Sequence, residues 1–157
     1  MQPYGPAVLR VAVGVVFVAH GAQKLFGVWG GAGPSGTAAF LAQLGLTPAM
    51  PLALLAGLVE LAGGLMLILG ALTLIAALAL AIDMGVATYK VHLANGFFLN
   101  WNLTPNQGHG YEFGLVLIGA LVALMLTGPG ALSIDGRRAR SAEAEAYGRA
   151  RLRAGKV

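Results

Sequence analysis

His20 and Lys24 stand four residues apart in the stretch VFVAHGAQKLFG, which closes an apolar run of some twenty residues. On a helix, side chains at i and i+4 share a face, so this spacing points an imidazole and an ammonium into one space. Two acids stand in equally apolar settings, Glu60 within GLVELAGGLMLILG and Asp83 within ALALAIDMGVATYK. These four residue types suit proton-coupled chemistry. Histidine titrates near neutral pH and can donate or shuttle a proton, lysine can stabilise developing negative charge, and two carboxyls can relay protons.

Each residue also has a plainer reading. Lys24 and Lys90 can snorkel from helix ends with their stems in an apolar layer. His20 can serve as a helix-to-helix hydrogen bond, and Glu60 and Asp83 can hold helices together without chemistry. His92, His109 and Glu112 border a polar loop, where simple surface exposure accounts for them.

Composition identifies the solvent in which the elements must position these groups. The chain has 157 residues, of which 57% are hydrophobic and 10% charged, and a mean hydropathy of +0.77. That is more apolar surface than a water-soluble domain can hide. The spacing of apolar runs predicts an all-α membrane protein, a bundle of four transmembrane helices near 6–26, 48–69, 72–93 and 111–127. The first run continues into HGAQKLF with no small-residue cleavage site, which favours a retained helix over a secretory signal. Thr47 and Pro48 predict a capped start for the second helix, and Gly70 a tight break before the third. GVWGGAGPSG reads as a flexible loop. TAAFLAQLGL, with Phe40, Leu41 and Leu44 on one side, reads as a piece lying along the membrane interface or dipping into it.

Lysine and arginine near helix ends set orientation. One side carries Arg10, Arg137, Arg138, Arg140, Arg149, Arg151, Arg153 and Lys156, and the other only Lys24 and Lys90. Both termini are therefore expected in the cytoplasm, with residues 137–157 a basic cytoplasmic tail that forms a surface helix over SAEAEAYGRARLRAG. The net charge of +4 resides mainly in that tail, which suits anionic lipid better than nucleic acid. Trp29, Phe97, Phe98, Trp101 and Tyr111 fall on the outer side as an aromatic belt. By helical rise His20 lies roughly 21 Å from the cytoplasmic face of a core about 30 Å thick, Glu60 and Asp83 near its middle, and Lys24, Lys90, His92 and Glu112 towards the outside. Gly57, Glu60 and Gly64, at i, i+3 and i+7, form a small-residue stripe that admits a neighbouring helix. Ala76, Ala79, Asp83, Ala87 and Lys90 repeat that device on the third helix.

HGAQKLFG at the end of the first helix, GLVELAGGLMLILG in the second and GPGALSID after the fourth, in that order, resemble the DoxX family of small bacterial membrane proteins over residues 7–136. The resemblance implies a four-helix subunit in a bacterial cytoplasmic membrane, related to the DoxD subunit of thiosulfate:quinone oxidoreductase and to relatives linked with redox stress and soluble redox partners. It marks His20, Gly21, Lys24, Glu60 and Gly64 as motif residues, and it does not reach the tail.

A quinone, the cofactor these readings share, needs an apolar slot with hydrogen-bonding groups at its carbonyl ends. His20, Lys24, Trp29 and Glu60 are the candidates for holding it in an outer-leaflet pocket, and His20, Lys24, Glu60 and Asp83 for moving protons. The electrons have no visible carrier in this chain. It has no cysteine, which excludes thiolate-held iron–sulfur clusters. His92 stands roughly 9 Å further out than His20, which argues against a haem ligand pair. No metal ligand set is assigned, although a metal between His20, Glu60 and Asp83 is conceivable. Three readings stay open: a quinone-interacting subunit whose electron donor is another protein, a non-catalytic scaffold for soluble redox enzymes, and a small transporter or proton pathway. Glycine-bearing faces leave room for a homo-oligomer.

Overall fold

The computed structural model describes residues 4–154, all of whose regular elements are helical. The expected apolar runs become α1 (Tyr4–Phe26), α3 (Ala49–Leu69), α4 (Thr73–Ala87) and α5 (Glu112–Thr127), with α2 (Gly33–Gln43) between the first two and α6 (Ile134–Ala154) after the last. α4 continues through a wide π turn, Thr88–His92, and a 3-10 turn, Leu93–Asn95. Three helical segments are long and apolar enough to cross a membrane: Tyr4–Phe26, Ala49–Leu69 and Thr73–Asn95. α5, with 16 residues, is roughly 24 Å long, shorter than a full crossing usually needs. It is clipped by Glu112 at one end and by the Gly128–Pro129–Gly130 break at the other.

α1 packs along α3, α3 against α4, α4 against α5, and α5 back against α1. Val13, Phe17, Leu67, Ala77, Leu80, Leu121 and Leu124 fill the centre. Leucine, isoleucine and valine cover the outside, Leu58, Leu65, Ile75, Leu78 and Val116 among them, the pattern of a surface made for lipid. The α1–α3 contact is close because glycine faces glycine. A Cβ on Gly14 would stand 2.7 Å from the Gly64 carbonyl oxygen, and one on Gly64 equally near that of Gly14. The stripe expected on α3 is thus a helix contact. The matching stripe on α4 is not: only Ala76 of its members is buried, while Ala79, Asp83, Ala87 and Lys90 line a cavity.

Gly70 ends α3 in the left-handed conformation, with Gly70 N–H on Leu67 O (3.1 Å) and Ala71 N–H on Met66 O (2.9 Å). This paired reversal folds α4 back along α3. The turn is locked from afar by Arg10, which is 1% exposed. Its guanidinium donates to the carbonyls of Leu67 (2.8 Å), Ile68 (3.3 Å), Pro129 (2.7 Å), Ala131 (2.9 Å) and Leu132 (3.3 Å). Asp135 completes the lock by accepting from the amides of Leu72 (3.0 Å) and Thr73 (2.8 Å) and from the Thr73 hydroxyl (2.9 Å). Burial works against the Asp135 charge, but these bonds, with Arg138 nearby, hold its carboxyl below the usual aspartate value.

Several expectations are corrected. Thr47 does not cap α3, whose first turn follows Pro48 with no side-chain cap. GVWGGAGPSG is not a loose loop, because it folds into a 3-10 turn at Val28–Gly30 and the start of α2. Arg10 is an internal clamp rather than a charge facing the cytoplasm. The tail helix begins at Ile134, ahead of the expected boundary at 137, and is exposed from Arg137 to Arg149. Gly155 and Lys156, counted with the tail, lie outside the described residues.

Candidate functional site

The glycines of the α1–α3 contact decide where Lys24 can go. A Cβ on Gly57 would stand 3.2 Å from the Lys24 Cβ and 2.8 Å from the Leu25 side chain. The missing side chain therefore lets the lysine stem pass across α3. Its ammonium reaches back along the bundle and pairs with the Glu60 carboxylate. The Lys24 ammonium turns to Glu60 while its side chain keeps 29% exposure. Asp83 of α4 faces the same space as this pair. Lys24, Glu60 and Asp83 thus form one cluster of ionisable groups across α1, α3 and α4.

This cluster lines a cavity of about 460 Å³. Apart from Thr37 of α2 and Lys90 of the π turn, the remaining lining is apolar: Phe40 and Leu41 from α2 with Leu44 just past its end, Leu52, Leu55 and Val59 from α3, and Ala79, Ile82 and Val86 from α4. α2 lies across α3 and α1 and turns Phe40, Leu41 and Leu44 onto the space, as their shared side in TAAFLAQLGL suggests. A second cavity, about 220 Å³, is lined by His20, Gln23, Lys24, Gly31, Ala32, Gly36, Thr37 and Phe40.

The four residues singled out for proton chemistry are therefore brought together only in part. His20 and Lys24 share the smaller space, as their spacing predicts, and Lys24, Glu60 and Asp83 share the larger one. His20 does not line the larger cavity, is exposed, and its side chain makes no hydrogen bond among the described residues. Trp29 is 73% exposed and lines neither cavity. It sits at the start of the loop to α2, where its carbonyl accepts from Gln23 Nε2 at 3.3 Å. Thr37, which sequence reasoning passed over, lines both cavities. Its only signal was a position one turn before Phe40 on the same side of α2. Among the described residues no three His, Asp or Glu side chains are grouped as metal ligands, so His20, Glu60 and Asp83 do not form the metal set once conceivable.

The other residues expected near the outer boundary have structural partners. His92 Nδ1 lies 3.0 Å from His109 O, His109 Nδ1 accepts from the Asn100 amide at 3.2 Å, and Glu112 Oε1 accepts from the Leu99 amide at 2.8 Å. With the edge-to-face pairs of Phe97 on Phe98 and Tyr111, they tie down the 96–111 loop.

The chain is similar over 140 residues, at 29% identity, to an uncharacterized protein of Haemophilus influenzae, covering 87% of this chain and 92% of that one. It is 29% identical over 136 residues to the inner membrane protein YphA of Escherichia coli, covering 83% and 87%. With the uncharacterized membrane protein Rv3486 of Mycobacterium tuberculosis it shares 34% identity over 139 residues, covering 87% and 82%. No solved structure matches it significantly. The DoxX family model matches residues 5–93, the segment that carries His20, Lys24, Glu60 and Asp83. By that match, and with its three long apolar helices, the chain belongs to the DoxX family of membrane proteins.

Proposed function

We propose that the protein is a quinone-interacting subunit of a membrane redox system, set in a bacterial cytoplasmic membrane with four spans and both termini in the cytoplasm. The observation that carries this reading is the cavity of about 460 Å³, apolar over most of its lining and with Lys24, Glu60 and Asp83 together on it. Its size is that of sites for drug-sized ligands. A quinone ring and the first part of its tail fit the apolar walls, and the carbonyl end meets the ammonium and the carboxyl pair. The quinone when bound supplies two-electron carrier chemistry, with electrons exchanged with another protein. The residues of this chain bind, orient and exchange protons. Lys24 donates to a carbonyl oxygen, the Glu60–Asp83 pair holds a proton beside it, and Phe40 and Val59 exclude water. With one proton shared between the two carboxyls, the triad with Lys24 is neutral, which suits burial in an apolar layer.

A specific feature also supports the scaffold reading. Beyond its start at Asp135, α6 exposes Arg137, Arg138, Arg140 and Arg149, a surface open to anionic headgroups or to a soluble redox enzyme.

The test is extraction and spectroscopy of quinone co-purifying with the chain, followed by titration of the stripped protein with a short-chain quinone. Saturable binding is expected, abolished by Ala56→Phe, which fills the cavity, and weakened about tenfold by Glu60→Gln, the equivalent of one good hydrogen bond. Neither co-purified quinone nor saturable binding in the wild type would sink this reading and leave the scaffold.

A further inference from the structure

The quinone reading leaves two features unused: the second cavity and the residues common to both. Lys24, Thr37 and Phe40 line the large cavity and the small one alike. They stand between the two spaces, whose linings differ in chemistry. Leu55 and Ile82, which line the large cavity between α3 and α4, are 56% and 61% exposed on the outer, lipid-covered surface of the bundle. The large cavity therefore opens sideways, towards the bilayer. The small cavity has His20, Gln23, Lys24, Thr37 and the backbone of Gly31 and Gly36 in its wall. It opens at the end of α1, beside the 3-10 turn and the exposed Ala32.

We propose that the two cavities are the two halves of one proton-coupled site: an apolar chamber entered from the bilayer, and a vestibule reached by water, with Lys24 carrying protons across the partition it forms with Thr37 and Phe40. This rests on the reading of the large cavity as a ligand chamber and adds the route by which protons reach it. Lys24 is the residue placed for the transfer. On one side its ammonium meets the Glu60 carboxylate, which adjoins Asp83. On the other it stands one helical turn from His20 in the vestibule wall. The charged and titratable groups around it are His20 on its own helix, Glu60 on α3, Asp83 on α4 and Lys90 in the π turn that continues it, while α2 offers only the uncharged Thr37. The transfer balances without an oxidant. Lys24 gives one N–H proton to vestibule water or to His20 and takes one from the carboxyl pair, ending with its charge unchanged, and the reverse order brings a proton in. Phe40 is the apolar part of the partition, keeping bulk water from the chamber.

Infrared spectroscopy of the protein in lipid, as H2O is replaced by D2O, reads this route without any redox activity. The C=O stretch of the protonated carboxyl, identified by its loss in Glu60→Gln or Asp83→Asn, is expected to shift rapidly in the wild type. In Lys24→Met it should shift about a hundredfold more slowly, the lower end of what a positioned proton donor contributes. A second measurement holds if Lys24→Met fails to fold. The chain has no cysteine, so Ala32→Cys should react with an impermeant thiol reagent and Ala79→Cys, inside the chamber, should not until Phe40→Ala is added. Exchange as fast in Lys24→Met as in the wild type overturns the role of Lys24. Equal labelling of Ala32→Cys and Ala79→Cys overturns the partition. Gated exchange in a protein that binds no quinone would keep the vestibule and sink the quinone, and quinone binding with ungated exchange would do the opposite.

Discussion

The two ends of the bundle each hold a cation from α1, Arg10 buried and Lys24 half-buried, and they use it in opposite ways. Arg10 spends its donors on five backbone carbonyls that belong to the α3–α4 turn and to the segment before α6. The neighbouring acid, Asp135, is likewise committed to the amides that open α4. Lys24, fourteen residues along the same helix, has one acceptor among the described residues, Glu60, and stands in the wall of two cavities. A guanidinium with its fork filled by carbonyls holds a shape and has no capacity for a ligand. An ammonium with three donors and one partner has donors to spare. The two ends also differ in what the charges answer to. Arginine stays charged at any relevant pH, whereas two carboxyls beside a lysine can change their proton count.

Removing the filled end should have the largest effect. Arg10→Met strips donors from carbonyls that water reaches poorly, at about 1–3 kcal/mol for each left unsatisfied, so folded protein should be lost or the unfolding midpoint in detergent should fall sharply. Wild-type stability in this variant would show that the contrast between the ends is false.

An intermediate effect is expected at the open end, where stability and function should separate. Glu60→Gln should cost about 1 kcal/mol or less, because the amide still accepts from Lys24, and yet lower quinone-linked activity per folded protein. Lys24→Met should be milder in stability than Arg10→Met, because the stranded carboxyl can take up a proton. Combining Lys24→Met with Glu60→Gln should cost less than the sum of the two, the signature of a direct pair in a double-mutant cycle. Full activity in Glu60→Gln and in His20→Gln would move the function away from proton transfer.

The smallest effect concerns Asp135 and pH. Its folded-state value lies below the ordinary 3.8, so its stabilisation is fully present above the unfolded value and is lost as the pH falls through the lower folded one. Asp135→Asn should cost about 1 kcal/mol at neutral pH, as lost helix caps do. It should also flatten the acid limb of the stability curve. An unchanged acid limb would mean that the bonds to Leu72 and Thr73 carry little energy.

Much of this contrast was legible along the chain and much was not. Three of the four expected spans were readable because a helix in lipid announces itself in an unbroken apolar run, and the α3–α4 reversal because Gly70 can take a left-handed turn that other residues resist. The face shared by His20 and Lys24 follows from helical spacing alone. Arg10 misled because an arginine near the start of an apolar helix has the same sequence appearance whether it faces the cytoplasm or a ring of carbonyls. The cap on α4 could not be found locally, since Asp135 lies more than sixty residues beyond the amides it binds. The flanking glycines of Glu60 were read rightly as a helix contact, while the alanines beside Asp83 proved to be the wall of a cavity.

The sequence by itself determined that this is a helical membrane protein, where its long apolar helices run, and which ionisable residues stand within them. Each of these is a property of one segment and its solvent, and spacing along a helix converts directly into a face and a depth. Only the tertiary structure decided that Lys24 meets Glu60, that Asp83 joins them while His20 stands across a partition, and that Arg10 is a clamp. Those outcomes depend on how separately formed helices rotate and slide against each other. That arrangement is set by glycine contacts such as Gly14 with Gly64, between residues distant in the chain, and no local pattern encodes it.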